Sequence, residues 1–227
     1  KSMLKASTNK MIFSSSATIY GDRYQPPWTE SYDIQTPKNP YAQSKFLVEN
    51  VLRYFTDSNR KLSIGVLRYF NPIGYHKSGL IGENSKNPNN LIPAILNVLE
   101  GKNKQLEIFG DTYPTKDGSG VRDYLHIEDL INGHIKALKF ISTTTGFNVW
   151  NLGSGKGYSV FEILAKIEKI IGMKVPFKIA PRRSGDLAEY WSDIAKAREE
   201  LNWWPQKDLN EMLHDSIITQ LKIKKAK

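Results

Sequence analysis

The residues best suited to chemistry are Tyr41 and Lys45, in the run Tyr41-Ala42-Gln43-Ser44-Lys45. On a helix, positions four apart share a face, about 6 Å along the axis. An ammonium that close to a phenol favours the phenolate and draws the tyrosine pKa down from about 10. The result is a base usable near neutral pH. A Tyr-x-x-x-Lys pair alone is equally what an ordinary surface helix carries. It does not stand alone, because Ser14-Ser15-Ser16-Ala17-Thr18 lies upstream. Hydroxyls at the carboxyl end of a strand sit where α/β sheets place their ligands. A serine there can bond both a substrate hydroxyl and the catalytic phenol.

The elements that must position these groups can be read from periodicity. Met11-Ile12-Phe13 reads as the end of a buried strand. Residues 44–56 carry Phe46, Leu47, Val48, Val51, Leu52 and Phe55 at helical spacing, which predicts an apolar helix face. Ile64 to Phe70 suits a buried parallel strand. Strand, helix and strand in alternation indicate an α/β layer architecture. Residues 72–90 read as loop, Leu91 to Leu99 as helix, and 128–141 as a helix with Leu130, Ile131, Ile135, Leu138 and Ile141 on one side. Phe147 to Leu152 reads as strand. Ser159-Val160-Phe161-Glu162 is a capping box that opens a helix to Ile171, closed by Gly172. Leu187 to Leu201 and Leu209 to Leu221 are expected to be helices. The glycines of Gly153-Ser154-Gly155-Lys156-Gly157 have the wrong spacing for a dinucleotide fingerprint, so a tight turn is the expected role.

Composition bounds the function. The 227 residues carry 32 Lys+Arg against 23 Asp+Glu, a formal charge of +9, and no cysteine. Without cysteine there is no disulfide framework, thiolate metal site or thiol nucleophile, and a reducing, cytoplasmic setting is expected. No apolar run reaches the roughly 18–20 residues of a membrane span. Four of the basic residues are Lys222, Lys224, Lys225 and Lys227, a solvated tail, and the others are dispersed. Nucleic-acid binding is therefore not expected. His126 is expected to be a buried hydrogen-bonding residue, and no metal site is expected.

The motifs narrow the reading further. Leu67-Arg68-Tyr69-Phe70-Asn71-Pro72-Ile73-Gly74, Asn89-Asn90-Leu91-Ile92-Pro93, Ile108-Phe109-Gly110, Gly120-Val121-Arg122-Asp123-Tyr124-Leu125-His126 and Ala180-Pro181-Arg182-Arg183-Ser184-Gly185-Asp186-Leu187 occur in this order. With the strand-end serines and Tyr-x-x-x-Lys, this series resembles the UDP-glucose 4-epimerase (UDP-galactose 4-epimerase) family of the extended short-chain dehydrogenase/reductases, from about Lys10 to Leu213.

The resemblance implies an α/β fold: the carboxyl-terminal part of a doubly wound, Rossmann-like parallel sheet plus a smaller α/β substrate domain. Residues 1–71, with a return segment about 126–155, would be the remaining part of an NAD-binding domain. Residues 72–125 and 156–221 would form the UDP-sugar-binding domain, and 222–227 a basic tail. The implied activity is interconversion of UDP-glucose and UDP-galactose by transient oxidation at the hexose 4-position, with NAD as cofactor. Tyr41 would be the base, Lys45 would hold the nicotinamide ribose and lower the Tyr41 pKa, and Ser16 would bond the 4-hydroxyl. Ser14 and Tyr69 would also face the cofactor. Phe70, Asn71, Asn90, the backbone at Leu91, Phe109, Arg122, Arg183 and Asp186 would bind the UDP-sugar. Tyr190 would line the sugar end and crowd a 2-N-acetyl group. A homodimer is implied for the complete enzyme.

Two alternatives stay open. A 4,6-dehydratase needs an acid and a base for the 5- and 6-positions, and that subfamily carries Asp-Glu where this chain has Ala17-Thr18. A non-catalytic UDP-sugar-binding fragment is the other. No Gly-x-x-Gly-x-x-Gly element precedes Gly21, the first glycine, so this polypeptide alone is expected to bind NAD poorly and to lack epimerase activity.

Overall fold

The computed structural model describes residues 2–37, 39–76, 78, 90–219 and 221. Its regular elements, in chain order, are α1 (Ser2–Lys5), β1 (Lys10–Ser16), α2 (Pro40–Ser58), β2 (Ser63–Tyr69), β3 (Asn71–Ile73), α3 (Leu91–Leu99), β4 (Leu106–Phe109), β5 (Val121–Arg122), β6 (Tyr124–His126), α4 (Ile127–Thr143), β7 (Gly146–Leu152), β8 (Tyr158–Ser159), α5 (Val160–Ile171), β9 (Phe177–Ala180), β10 (Glu189–Tyr190), α6 (Ala195–Leu201) and α7 (Leu209–His214). The expected tail 222–227 and most of the expected loop, at 77 and 79–89, lie outside the described residues. The chain divides into two units: Lys1–Phe70, Asp129–Gly155 and Trp191–Trp204, then Asn71–Glu128, Lys156–Tyr190 and Pro205–Lys227.

The first unit is built on a parallel sheet ordered β1-β2-β7. The central strand β2 is buried from Ser63 to Arg68, as expected of a strand with neighbours on both edges. Its Gly65 is required by packing, since a Cβ there would meet Ile12 Cδ1 at 2.6 Å. The register sets Ser14 opposite Leu67, Ser15 opposite Arg68 and Ser16 opposite Tyr69. Side chains alternate across a strand, so Ser15 and Arg68 face one side while Ser14, Ser16 and Tyr69 face the other.

Helix α2 begins where Asn39 accepts hydrogen bonds from the Tyr41 and Ala42 backbone N–H groups, at 2.8 and 3.2 Å. Pro40 opens the first turn, where its missing N–H costs nothing. The expected apolar face of α2 requires correction. Ala42, Glu49 and Thr56 are buried, whereas Leu47, Val48, Val51 and Phe55 are exposed. The sheet presents polar Ser15 and Arg68 on one side, and Glu49 is the residue that satisfies them. Helix α4 likewise buries Leu130 and Ile141 but exposes Ile131, Ile135 and Leu138.

In the second unit the strands form a sheet ordered β10-β5-β8 and two parallel pairs, β3-β6 and β4-β9. A separate apolar core joins Ile95, Leu106, Ile163, Ile167, Leu213 and Ile217, among others. Helix α5 starts and stops as the sequence predicts: the Ser159/Glu162 capping box is formed, and Gly172 ends it in the left-handed region at φ 72°. Four readings change. Glu189–Tyr190 is a strand instead of helix, because it pairs in parallel with Val121–Arg122. The helix expected from Leu187 begins only at Ala195, whose N–H bonds Asp193 at 2.7 Å. The helix from Leu209 widens at Asp215–Thr219 into i to i+5 turns, beside a Ser216 hydroxyl that bonds the Met212 carbonyl at 2.7 Å. Within the expected loop, Asn71–Ile73 is paired as β3.

Gly133 of α4 lies against Leu152 and Trp203, and an added Cβ would sit 2.7 Å from Leu152 Cδ1. A helical Gly→Ala change normally gains about 1 kcal/mol. Here we expect Gly133→Ala to lose about 1–3 kcal/mol through overpacking. Denaturant unfolding checks this, and a stabilised variant would contradict the packing described.

Candidate functional site

In the first unit, Ser14, Tyr41, Lys45 and Tyr69 gather at the carboxyl ends of β1 and β2. The Lys45 ammonium donates to the Ser14 carbonyl at 3.0 Å. It also lies 5.7 Å from the centre of the Tyr41 ring and 5.3 Å from that of Phe13. Tyr41 is 55% exposed, so its phenol is open to solvent. The Tyr69 and Ser14 hydroxyls share a hydrogen bond of 2.7 Å. Burial raises the Tyr69 phenol above its ordinary pKa, with the Ser14 bond opposing and Tyr41 reinforcing the shift. Ser16 Oγ caps the short helical turn Ala17–Tyr20, accepting from Thr18 Oγ1 at 2.9 Å and Thr18 N at 3.3 Å. Ser16 is itself buried, and neither bond uses its own O–H.

Phe70 takes a different place. Its ring is buried in the first unit, 6.2 Å from Trp28 by centroids, so only its backbone can lead towards a ligand.

The second unit holds the remaining expected binding residues. Arg122 lies 4.7 Å over the Tyr190 ring and donates to the Val121 carbonyl at 2.9 Å. Arg183 lies 4.7 Å over the Phe109 ring and donates to Asp186 at 2.8 Å. Tyr190 donates to Asn71 Oδ1 at 3.3 Å, and burial raises its phenol pKa. Asn90 caps α3 without a side-chain cap bond, and Leu91 occupies the first helical position. Such a position has an N–H with no partner inside the helix. The set therefore offers two cations stacked on aromatic rings, a carboxylate, an amide side chain beside a phenol, and an exposed amide. His126 is fully buried, its Nδ1 accepting from the Glu128 N–H at 3.1 Å and its Nε2 lying 3.4 Å from Asp215.

The family model described as GDP-mannose 4,6 dehydratase matches residues 1–216. The UDP-glucose 4-epimerase of Erwinia amylovora is 47% identical over 215 residues, 94% of this chain and 64% of that protein. The chain thus spans under two thirds of that relative's length. Among solved structures, the UDP-glucose 4-epimerase of Stenotrophomonas maltophila, with bound NAD and formylated UDP-arabinopyranose, superposes with a TM-score of 0.94 at 40% identity. That match covers 99% of this chain and 67% of the other. The Bifidobacterium longum enzyme, in complex with NAD+ and UDP, gives 0.92 at 42% identity over 97% and 66% of the two chains. These neighbours support the α/β, Rossmann-like fold.

Two groups of residues escaped sequence reasoning. His134 of α4 lies hydrogen-bonded to Tyr69, and its Nδ1 bonds the Leu130 carbonyl at 2.8 Å. A carbonyl only accepts, so Nδ1 carries a proton in this bond. No spacing in the sequence marked this residue. Beneath the sheet, Ser15, Glu49, Arg68, Tyr20 and Asn151 form a buried polar chain. A glutamate four residues after a lysine on a helix reads as a surface ion pair, which concealed it.

Burial pushes the Tyr20 phenol in this chain up to about 12, against the lowering influence of Arg68. The unfolded chain releases that proton near 10. The stabilisation is therefore fully present below about pH 10 and disappears as pH rises through about 12, with a slope of up to roughly 1.4 kcal/mol per unit. We expect the unfolding free energy of Tyr20→Phe to depend less steeply on pH between 10 and 12 than that of the unaltered protein. Equal slopes in denaturant titrations would contradict this assignment.

Proposed function

We propose, since the chain belongs to the GDP-mannose 4,6 dehydratase family of extended short-chain dehydrogenases/reductases, that it serves the interconversion of UDP-glucose and UDP-galactose by transient oxidation at the hexose 4-position. One observation carries this reading: the Lys45 ammonium anchored on the Ser14 carbonyl beside the exposed Tyr41 ring, at the ligand-binding end of a parallel sheet. Ser14, Tyr41, Lys45 and Tyr69 fit the nicotinamide end of NAD, since a hydroxyl, two phenols and an ammonium collect there. When bound, NAD supplies the hydride acceptor and donor.

The side chains take the remaining tasks. Tyr41 Oη receives the 4-hydroxyl proton and later returns it, and the Lys45 ammonium supplies positive charge beside that phenol. Ser16 donates its free O–H to the same sugar hydroxyl. Arg122 and Arg183 supply the charge for the diphosphate, for which a guanidinium fork is better shaped than an ammonium. Phe109 offers an aromatic surface for the uracil, Asp186 accepts from the nucleotide ribose, and Asn71, Asn90 and the Leu91 N–H are neutral contacts. Tyr190 bounds the sugar end.

A dehydratase reading lacks its proton carriers. Ala17 is buried and Thr18 bonds Ser16, so neither position offers a carboxylate. A non-catalytic UDP-sugar-binding role is the second reading, supported by Arg122 and Arg183 lying over the Tyr190 and Phe109 rings in the second unit. A homodimer is proposed with the enzymatic reading, supported by the apolar residues that α2 exposes. A cytoplasmic location rests on the resemblance; among the described residues no helix is long and apolar enough to cross a membrane.

The test uses a polypeptide that turns over UDP-glucose, this chain or a longer one containing it. General acid–base groups contribute about 10²–10⁴-fold, so Tyr41→Phe should lower kcat by at least about 100-fold and leave UDP affinity unchanged. Equal losses in both would argue against Tyr41 as the base, and UDP binding without turnover, by this chain and by every longer polypeptide containing it, would favour the non-catalytic reading. The bulk of Tyr190 further predicts a preference for UDP-glucose and UDP-galactose over their N-acetyl counterparts, and comparable kcat/KM for both classes would contradict that role.

A further inference from the structure

We propose that Glu49 and Arg68 are positioning residues that fix the Tyr41 helix against the two strands bearing Ser14, Ser16 and Tyr69, with Ser15 as the third member. The inference rests on the catalytic reading above and deepens it. Tyr41, Lys45 and Glu49 occur at successive four-residue steps of α2, one turn apart and close to one face. Ser15 stands between Ser14 and Ser16 on β1, and Arg68 immediately precedes Tyr69 on β2. Each member of the buried cluster is thus covalently next to, or one turn from, a residue assigned to chemistry.

The bonds are specific. Arg68 donates to Glu49 through Nε at 3.2 Å and through Nη2 at 2.7 Å, a two-pronged pair. Ser15 Oγ donates to the same carboxylate at 2.5 Å. Arg68 Nη1 donates to the Tyr20 hydroxyl at 3.0 Å, which donates in turn to Asn151 Oδ1 at 2.7 Å. Asn151 Nδ2 closes the chain on the Trp28 carbonyl at 2.8 Å. Ser15, Glu49 and Arg68 are 2%, 4% and 3% exposed, so water does not compete for these bonds.

Stability alone does not account for such a pair. Burying two charges costs about as much as their attraction returns, and apolar residues of similar volume usually serve as well. Apolar contacts, however, tolerate sliding and rotation. A bidentate guanidinium–carboxylate pair has one good geometry. A helix rotates about 100° per residue, so a small slip at Glu49 would carry Tyr41 away from the strand ends. Alternation across the strands separates the two layers: Ser15 and Arg68 point to α2, while Ser14 and Tyr69 point towards His134 of α4. The buried pair therefore orders the groups without touching what they bind.

Two variants, each assayed in a polypeptide that turns over UDP-glucose, separate positioning from folding. Ser15→Ala removes one hydroxyl and retains the fold, and it should lower kcat per folded molecule about 3–10-fold with KM within about twofold, since misplacements near 1 Å can cost 10²-fold. The double variant Glu49→Met/Arg68→Met leaves no unpaired charge, so its thermal midpoint should exceed that of Glu49→Met alone. Its kcat should nevertheless stay at least about tenfold low, with KM again nearly unchanged. An unaltered kcat in Ser15→Ala would overturn the proposal, and so would a double variant whose kcat recovers along with its midpoint. Tyr41→Phe in the same background distinguishes the two levels of inference. If it abolishes turnover while the other variants leave kcat unaltered, only the positioning role fails; if it retains turnover, both readings fall.

Discussion

A guanidinium and a carboxylate, Arg68 and Glu49, meet inside the first unit with almost no exposure to water. An unpaired buried charge would cost about 3–5 kcal/mol, a large share of what a domain of this size has to spare. Every element around the pair is therefore obliged to bring a partner. Helix α2 supplies Glu49, β1 supplies Ser15, the turn after β1 supplies Tyr20, and β7 supplies Asn151, whose amide reaches the Trp28 carbonyl. This obligation explains why α2 turns a polar residue inward and leaves Leu47, Val48, Val51 and Phe55 outside.

The second unit solves its problem by different means. Its core is apolar, built on Ile95, Leu106, Ile163 and Leu213, and carries its arginines at the margin. Arg122 and Arg183 lie on the Tyr190 and Phe109 rings, which restrict the two side chains. Long cationic side chains have rotamer freedom of order 1–2 kcal/mol each to lose, and stacking on a ring limits it within the folded chain.

What could be read from the sequence had local causes. The α5 helix was visible because its capping box and its left-handed glycine act within a few residues. Tyr41 and Lys45 were visible because helix geometry converts a spacing of four into proximity. The strand at Glu189–Tyr190 was not, since its pairing with Val121–Arg122 is made with residues far along the chain. Glu49 was hidden for a related reason. A glutamate among apolar residues reads as the solvent side of a helix, and only the burial of Arg68 on a neighbouring strand reverses that reading. His134 lacked any motif, and its link to the strand ends is made through the Tyr69 hydroxyl.

In the proposed reaction, oxidation and reduction occur at one carbon, and Tyr41 handles only the oxygen-bound proton. The direct measurement uses UDP-galactose deuterated at carbon 4, turned over in ordinary water by a polypeptide containing these residues. The product UDP-glucose should keep its deuterium at carbon 4, because in that reaction the hydrogen leaves and returns as hydride and never mixes with solvent. Deuterium replaced by solvent hydrogen would contradict it.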